Sequence, residues 1–211
     1  MAEEKFDFDK KARTWDDNPV RVKLANDIAG AIIGEKIFAP DMDVLEFGCG
    51  TGLLTVKVSP LVRSITGVDG SLGMLGMLEA KIKEGGLTNT KTQLVDPSVG
   101  GRIEGCYGAV FSSMTLHHVK EIGSLFEQFH RVTAPGGHVC LADLDPEEGK
   151  FHGENPTVFH NGFERKMVGK MLMDAGFCEV RDKTAAIVER PVAGGAVKSF
   201  SIFLITCRKR G

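Results

Sequence analysis

The sequence predicts an α/β fold: a doubly wound, mostly parallel sheet covered by helices on both faces. Three observations carry this. Short apolar runs alternate with helical patterns through most of the chain. Those runs hold apolar centres, such as Val44-Leu45 and Val139-Cys140-Leu141, as strands covered on both faces require. A glycine-rich turn, Gly48-Cys49-Gly50-Thr51-Gly52, follows the first run directly and leads into a helical segment.

Each element has a local reason. Asn18 can cap a helix whose first position is Pro19, and Val20, Leu24, Ile28, Ala31 and Ile32 mark one face of it. Pro40 closes that region. The first strand is Asp43–Phe47, and the short helix after the glycines stops at Pro60. Ser64–Asp69 is the second strand. Ser71 caps the next helix, where Leu75, Leu78 and Ile82 share a face, and Gly85-Gly86 ends it. Lys91–Asp96 and Tyr107–Ser113 read as the third and fourth strands. A helix over Ile122–Thr133 turns Leu125, Phe126 and Phe129 inward, and Gly137–Leu144 is the fifth strand. Pro146–His160 is the longest irregular stretch, and loops that long are mobile or functional. His160–Phe177 reads as a helix with Phe163, Met167, Met171, Leu172 and Ala175 on its buried face. Cys178–Ala185 and Val197–Lys209 are joined by a short connection, which predicts an antiparallel hairpin. The expected organisation is one domain: an N-terminal lid or cap (1–40), a core (41–145), and a C-terminal helix and hairpin (146–211).

Composition narrows the class. The chain has 211 residues, 42% hydrophobic and 26% charged, with a formal net charge of −2. That is ordinary for a globular domain with a core of its own. No basic block argues for nucleic acid. The charged start lacks a secretory pattern, and no run of about 18 apolar residues offers a membrane span, so a cytoplasmic protein is expected. The five cysteines form no CxxC pair and are expected to be reduced and mostly buried.

The glycine turn sits where ligands bind in doubly wound sheets, at the carboxyl end of a strand and before a helix with unpartnered amides. Its spacing is G-x-G-x-G, not the G-x-G-x-x-G of a dinucleotide pyrophosphate site. Asp69 ends the second strand, where a carboxylate can accept from both ribose hydroxyls. Strand, glycine loop, helix, strand and terminal acid together predict nucleoside binding.

The stretches "VLEFGCGTG", "ITGVDGS", "TQLVD", "YGAVFSSMTLHHV" and "APGGHVCLADL" resemble the successive motifs of class I S-adenosylmethionine-dependent methyltransferases. The late segment "HNGFERKMVGKMLMDAGF" is similar to the small-molecule branch that includes the ubiquinone and menaquinone methyltransferases. The resemblance implies a Rossmann-like, seven-stranded sheet with an antiparallel last strand, and S-adenosyl-L-methionine as cofactor. It implies that Gly48, Cys49, Gly50 and Gly52 pass the cofactor's amino-acid end, that Glu46 orients its ammonium, and that Asp69 holds the ribose. Gly70, Met74, Asp96 and Pro97 would lie by the adenine, and the Ser112 carbonyl by the ammonium. Two departures stand out: Pro97 has no N–H to donate to the ring, and Gly70 cannot stack on it.

For the chemistry, His117 and His118 follow the fourth strand at the expected rim of the site and are the candidate bases. Packing of the loop is their structural alternative. His160 is a candidate pocket residue or a structural histidine. Phe6, Phe8 and Trp15 are either a core satellite or a lid that excludes water, with Trp15 then facing the acceptor. No metal site is expected, because His117 and His118 are adjacent rather than four apart. The expected partner is a small-molecule methyl acceptor. The competing readings are a nicotinamide-dependent oxidoreductase and a non-catalytic cofactor-binding module.

Overall fold

The structure, a computed structural model, describes residues 7–96, 101–153, 155–192 and 195–211. Phe6 and Pro97 lie outside these residues. The elements are α1 (Phe8–Lys11), a 3-10 turn (Ala12–Asp17), α2 (Pro19–Ile33), β1 (Asp43–Phe47), α3 (Thr55–Val58), β2 (Ser64–Asp69), α4 (Leu72–Gly85), β3 (Thr90–Leu94), β4 (Tyr107–Ser113), α5 (Ile122–Val132), β5 (Thr133–Leu144), α6 (Arg165–Asp174), β6 (Phe177–Pro191) and β7 (Val197–Lys209).

The seven strands form one sheet in the order β3-β2-β1-β4-β5-β7-β6. β1 to β5 pair in parallel, and β7 runs antiparallel to both β5 and β6. The winding reverses between β1 and β4, and the crevice beyond their carboxyl ends is where this architecture binds ligands. One core lies under α5 and α6 and includes Phe126, Phe129, Phe163 and Leu172. The other lies under α2 and α3 and includes Ile28, Ile32, Val58 and Phe111.

The local signals act as expected at several ends. Asn18 Oδ1 accepts from the amides of Val20 and Arg21 at 3.0 and 3.3 Å, with Pro19 opening α2. Ser71 Oγ accepts from the Met74 amide, and Gly86 closes α4 in the left-handed conformation at φ 60°.

Two readings are corrected. Val20 lies 44% exposed in the first turn of α2, where the inward face has not yet reached the sheet; Ile28, Ala29 and Ile32 carry the burial. The late helix spans only Arg165–Asp174, because Gly162 turns at φ 81° and the Phe163 amide donates to the Leu144 carbonyl at the end of β5. Phe163 is buried, but ahead of the helix, while Met167 is 47% exposed. The loop from Asp145 thus returns to the strand it left. Cys49, Cys140 and Cys207 are buried, Cys106 is exposed, and all five thiols are free.

Candidate active site

The glycine turn leaves β1 and is pinned to β2. The amides of Gly48 and Cys49 both donate to the Val68 carbonyl, at 2.7 and 3.0 Å. Asp69, at the end of β2, receives the Gly50 amide on Oδ2 at 2.8 Å and the Ser71 amide on Oδ1 at 2.9 Å. Burial raises the Asp69 pKa against these bonds.

The three glycines differ in what they face. A Cβ at Gly48 would stand 2.2 Å from the Thr115 side chain, and one at Gly52 would stand 2.3 Å from Leu78. Packing alone forbids side chains there. At Gly50, φ is 52° and a Cβ would meet nothing within 4 Å. Only Gly50 opens onto free space, so it is the one of the three positioned for a ligand to approach the backbone.

Glu46, on β1 beneath this turn, is 2% exposed, and one carboxylate oxygen accepts from the Thr55 hydroxyl. Burial pushes its pKa up to about 8. Cys49 is buried with its thiol pKa raised, chiefly by burial. Gly70 and Asp96 meet: with Gln93, Val95, Gly101 and Arg102 they line a cleft of about 420 Å³. Met74 is buried at the start of α4. Ser112 is buried, and its hydroxyl donates to the Phe47 carbonyl at 2.8 Å, tying β4 to β1 where the winding reverses.

Beyond β4 the chain turns sharply, with Met114 at φ 53°, into a 3-10 turn at Leu116–His118. His117 is 1% exposed, and its Nδ1 lies 2.7 Å from Oδ1 of Asp143, near the end of β5. Burial alone would raise the Asp143 pKa; the charge and hydrogen bond of His117, with the amides of Leu144 and His117, bring it below the usual range. An ionised carboxylate only accepts, so Nδ1 carries a hydrogen, and the lone pair of the neutral form of the ring lies on Nε2. That Nε2 is buried without a partner among the described residues, as is Nε2 of His152.

The loop Asp145–Phe163 lies along this turn. The Phe159 amide donates to the His117 carbonyl, His118 Nδ1 donates to the Thr157 carbonyl at 2.8 Å, and His160 Nε2 donates to the Val119 carbonyl at 2.9 Å. His160 therefore braces the loop. The loop also brings His152 to 4.5 Å from His117, ring to ring, with His118 at 4.2 Å on another side. Burial, then the neighbouring His117, push His118 down to about 4 and His152 to about 3, so both are neutral near pH 7. Among the described residues no group of three or more His, Cys, Asp or Glu is placed to hold a metal ion.

The N-terminal segment closes over these parts. Asp9 Oδ1 accepts from the Ser71 hydroxyl at 2.5 Å and the Gly73 amide at 2.7 Å. Asp16 accepts from the Thr51 hydroxyl and Lys81, both at 2.6 Å. Phe8 meets His118 edge-on at 5.1 Å and lies 6.0 Å from Trp15. Sequence reasoning missed Asp143, His152, Thr115, Asp9 and Asp16. Asp143 alone carried a signal, an acid inside an otherwise apolar strand.

The protein is a doubly wound α/β fold with a glycine turn at its switch point and an acid closing β2, the place where such folds take their ligands. Known proteins share parts of this chain. Residues 44–137 match the methyltransferase domain family. An uncharacterised methyltransferase of Schizosaccharomyces pombe is 26% identical over 164 residues, 70% of this chain and 58% of that protein. A ubiquinone biosynthesis O-methyltransferase of Pseudomonas aeruginosa is 28% identical over 130 residues, 62% of this chain and 53% of that protein. The chain thus spans a little over half the length of these relatives. A SAM-dependent methyltransferase from Aquifex aeolicus superposes with TM-score 0.67 at 21% identity, covering 97% of this chain and 99% of that one. DhpI in its SAH complex superposes with TM-score 0.71 at 21% identity, covering 96% and 93%. The fold is shared with these solved structures, and the match to the methyltransferase domain family runs from β1 into β5.

Proposed function

We propose that this protein is an S-adenosylmethionine-dependent methyltransferase acting on an oxygen of a small molecule. The observation that carries the reading is the buried, unpartnered Nε2 of His117, whose tautomer Asp143 sets through Nδ1. It stands two residues beyond Thr115, whose side chain packs on Gly48 of the cofactor turn. Leaving a buried polar atom unpaired costs about 1–3 kcal/mol, which a bound hydroxyl would recover.

The residues present fit the cofactor. Gly50 leaves its backbone open. Glu46 is a buried acid suited to a cationic ammonium, whose approach would ionise it. Asp69 keeps lone pairs for the ribose hydroxyls beyond its two amide bonds. The cleft at Gly70 and Asp96 has room for a base, and the absence of a side chain at Gly70 keeps it open. Gly48, Cys49 and Gly52 shape the turn, and Met74 and the Ser112 carbonyl complete the set. Bound there, the sulfonium supplies an electrophilic methyl group.

The chain's own residues would do the rest. His117 takes the acceptor's hydroxyl proton on Nε2, and Asp143 stabilises the imidazolium. His118 and His152, both neutral, flank the acceptor without competing as charges. Phe8 and Trp15 exclude water. A nicotinamide enzyme would need the longer glycine spacing, and a non-catalytic module would have no use for an aligned imidazole lone pair.

The test is calorimetry with S-adenosylhomocysteine, followed by transfer of labelled methyl from the cofactor to a metabolite extract. Binding, with label appearing as a methyl ether or ester, is expected. No binding, or no label in the small-molecule fraction, would overturn the reading.

A further inference from the structure

We infer that the methyl acceptor carries an anionic group, a carboxylate or a phosphate, which is held between Arg21 and Arg190. This rests on the methyltransferase reading and names the class of its substrate.

Three arginines are half-buried: Arg21, Arg165 and Arg190. Arg165 is saturated, with Asp145 on two nitrogens and with Asp182 and Thr184. Arg21 and Arg190 are not. Among the described residues neither guanidinium has a carboxylate within 4.0 Å or a side-chain hydrogen bond. Arg21 lies instead 4.1 Å over the Trp15 ring, and Arg190 lies 4.4 Å over Phe151. Stacking fixes a guanidinium plane and leaves its N–H edge free, the arrangement that takes a carboxylate or phosphate bidentately.

The elements that carry the two charges also pack together. α2, which carries Arg21, packs against β6, which carries Arg190. Burial lowers the pKa of both, and Arg190 lowers that of Arg21 further. Several acids pair with lysines: Glu148 with Lys150 and Lys198, Glu35 with Lys183, Asp27 with Lys23, and Asp16 with Lys81. Glu147 is buried and accepts from the Phe151 amide, its other oxygen is unpartnered, and it forms no ion pair with Arg190 within 4.0 Å. Two like charges drawn partly out of water without a counter-ion cost stability, and an anion between them removes that cost.

Ring contacts link the pair to the candidate base. Trp15 touches Phe8, Phe8 meets His118, and His118 meets His117. From the other side His117 meets His152, and His152 meets Phe151, the ring under Arg190. One series of ring contacts thus runs from one arginine to the other and passes through His117. An acceptor anchored by its anion at the arginines would present a hydroxyl on the same molecule to Nε2.

The test uses the single tryptophan, which lies under Arg21. With S-adenosylhomocysteine present, the protein is titrated with benzoate, phenyl phosphate and, as the neutral control, benzamide, and Trp15 emission is followed. One of the anions is expected to bind at least tenfold more tightly than benzamide, and the tighter one distinguishes carboxylate from phosphate. R21Q and R190Q should each weaken that anion tenfold or more, with S-adenosylhomocysteine affinity within twofold of wild type as the check on folding. R21K should retain part of the binding. Without ligand, R21Q should melt at or above the wild-type temperature, because it relieves repulsion. Benzamide binding as tightly as both anions, or variants that bind the anions like wild type, would overturn the inference. If S-adenosylhomocysteine itself does not bind, the methyltransferase reading fails, and the anion titrations without it still decide the arginine site.

Discussion

Nδ1 of His117 lies 2.7 Å from Oδ1 of Asp143, and both side chains are closed to solvent. Asp143 Oδ1 also accepts from the Leu144 amide at 2.7 Å, which holds the carboxylate in place, and the pair fixes which nitrogen of the neutral ring carries hydrogen. An amide at position 143 can donate to Nδ1 instead and move the hydrogen to Nε2. Asp143→Asn should therefore lower kcat by about 100-fold or more, the scale of general-base catalysis. Cofactor affinity should stay near wild type, and His117→Gln should behave alike. Steady-state kinetics beside calorimetry would check this, and wild-type turnover in both variants would return the pair to a structural role.

Asp69 joins the glycine turn to the start of α4 through the Gly50 and Ser71 amides. Asp69→Ala removes both bonds and the proposed ribose acceptor. Hydrogen bonds to a charged group contribute about 1.5–3 kcal/mol, so affinity for S-adenosylhomocysteine should fall tenfold or more. Unchanged affinity in calorimetry would sink the assignment.

Glu46 titrates near 8 in its buried site, so most of it is protonated at pH 7. An ammonium bound beside it would favour the carboxylate. Cofactor binding at pH 7 should then release about one proton, an amount that declines as pH approaches 9. Calorimetry in buffers of different ionisation enthalpy measures this directly. The release should vanish in Glu46→Gln; release that persists there comes from another group.

The N-terminal segment docks on a glycine. A Cβ at Gly73 would stand 2.7 Å from Cα of Asp9, a backbone atom that cannot swing aside. Gly73→Val should lift α1 away, shift Trp15 emission to the red and weaken S-adenosylhomocysteine, while far-UV dichroism of the sheet stays as in wild type. Deleting residues up to Asp17 should do the same to binding and abolish most activity. Emission that does not move in Gly73→Val would show that docking does not depend on this contact.

His118 and His152 titrate at about 4 and about 3 in the folded chain, against an ordinary 6.5. Between those values the unfolded chain binds more protons than the folded one. Stability therefore rises with pH through this window and is lost as pH falls from about 6.5 towards 4. Each group contributes a slope of at most about 1.4 kcal/mol per pH unit. Glu46, raised instead, opposes them between 4.5 and about 8, so the comparison must be with a variant. Denaturant melts of the His118→Gln, His152→Gln double variant should show a shallower loss than wild type. An identical slope would mean these rings protonate without unfolding cost.

The sequence by itself determined what neighbours in the chain decide. Asn18-Pro19, Ser71 and Gly86 bound their helices because a cap satisfies amides or carbonyls within one turn. Strand, glycine turn and terminal acid were legible for the same reason, since β1, the turn and Asp69 form one continuous βαβ unit. The late helix was overextended because the Phe163 amide belongs to the Leu144 carbonyl, a pairing invisible to periodicity. Only the tertiary structure decided the rest. It gave the three glycines different tasks, since Thr115 and Leu78 arrive from other elements. Three other relationships join residues far apart in the chain: Asp143 with His117, His152 beside them, and Arg21 of α2 feeling the charge of Arg190 on β6. Side chains so separated meet only where the order of strands brings their ends together. That order is set by how whole faces bury apolar surface, which is a property of the assembled sheet and not of any one segment.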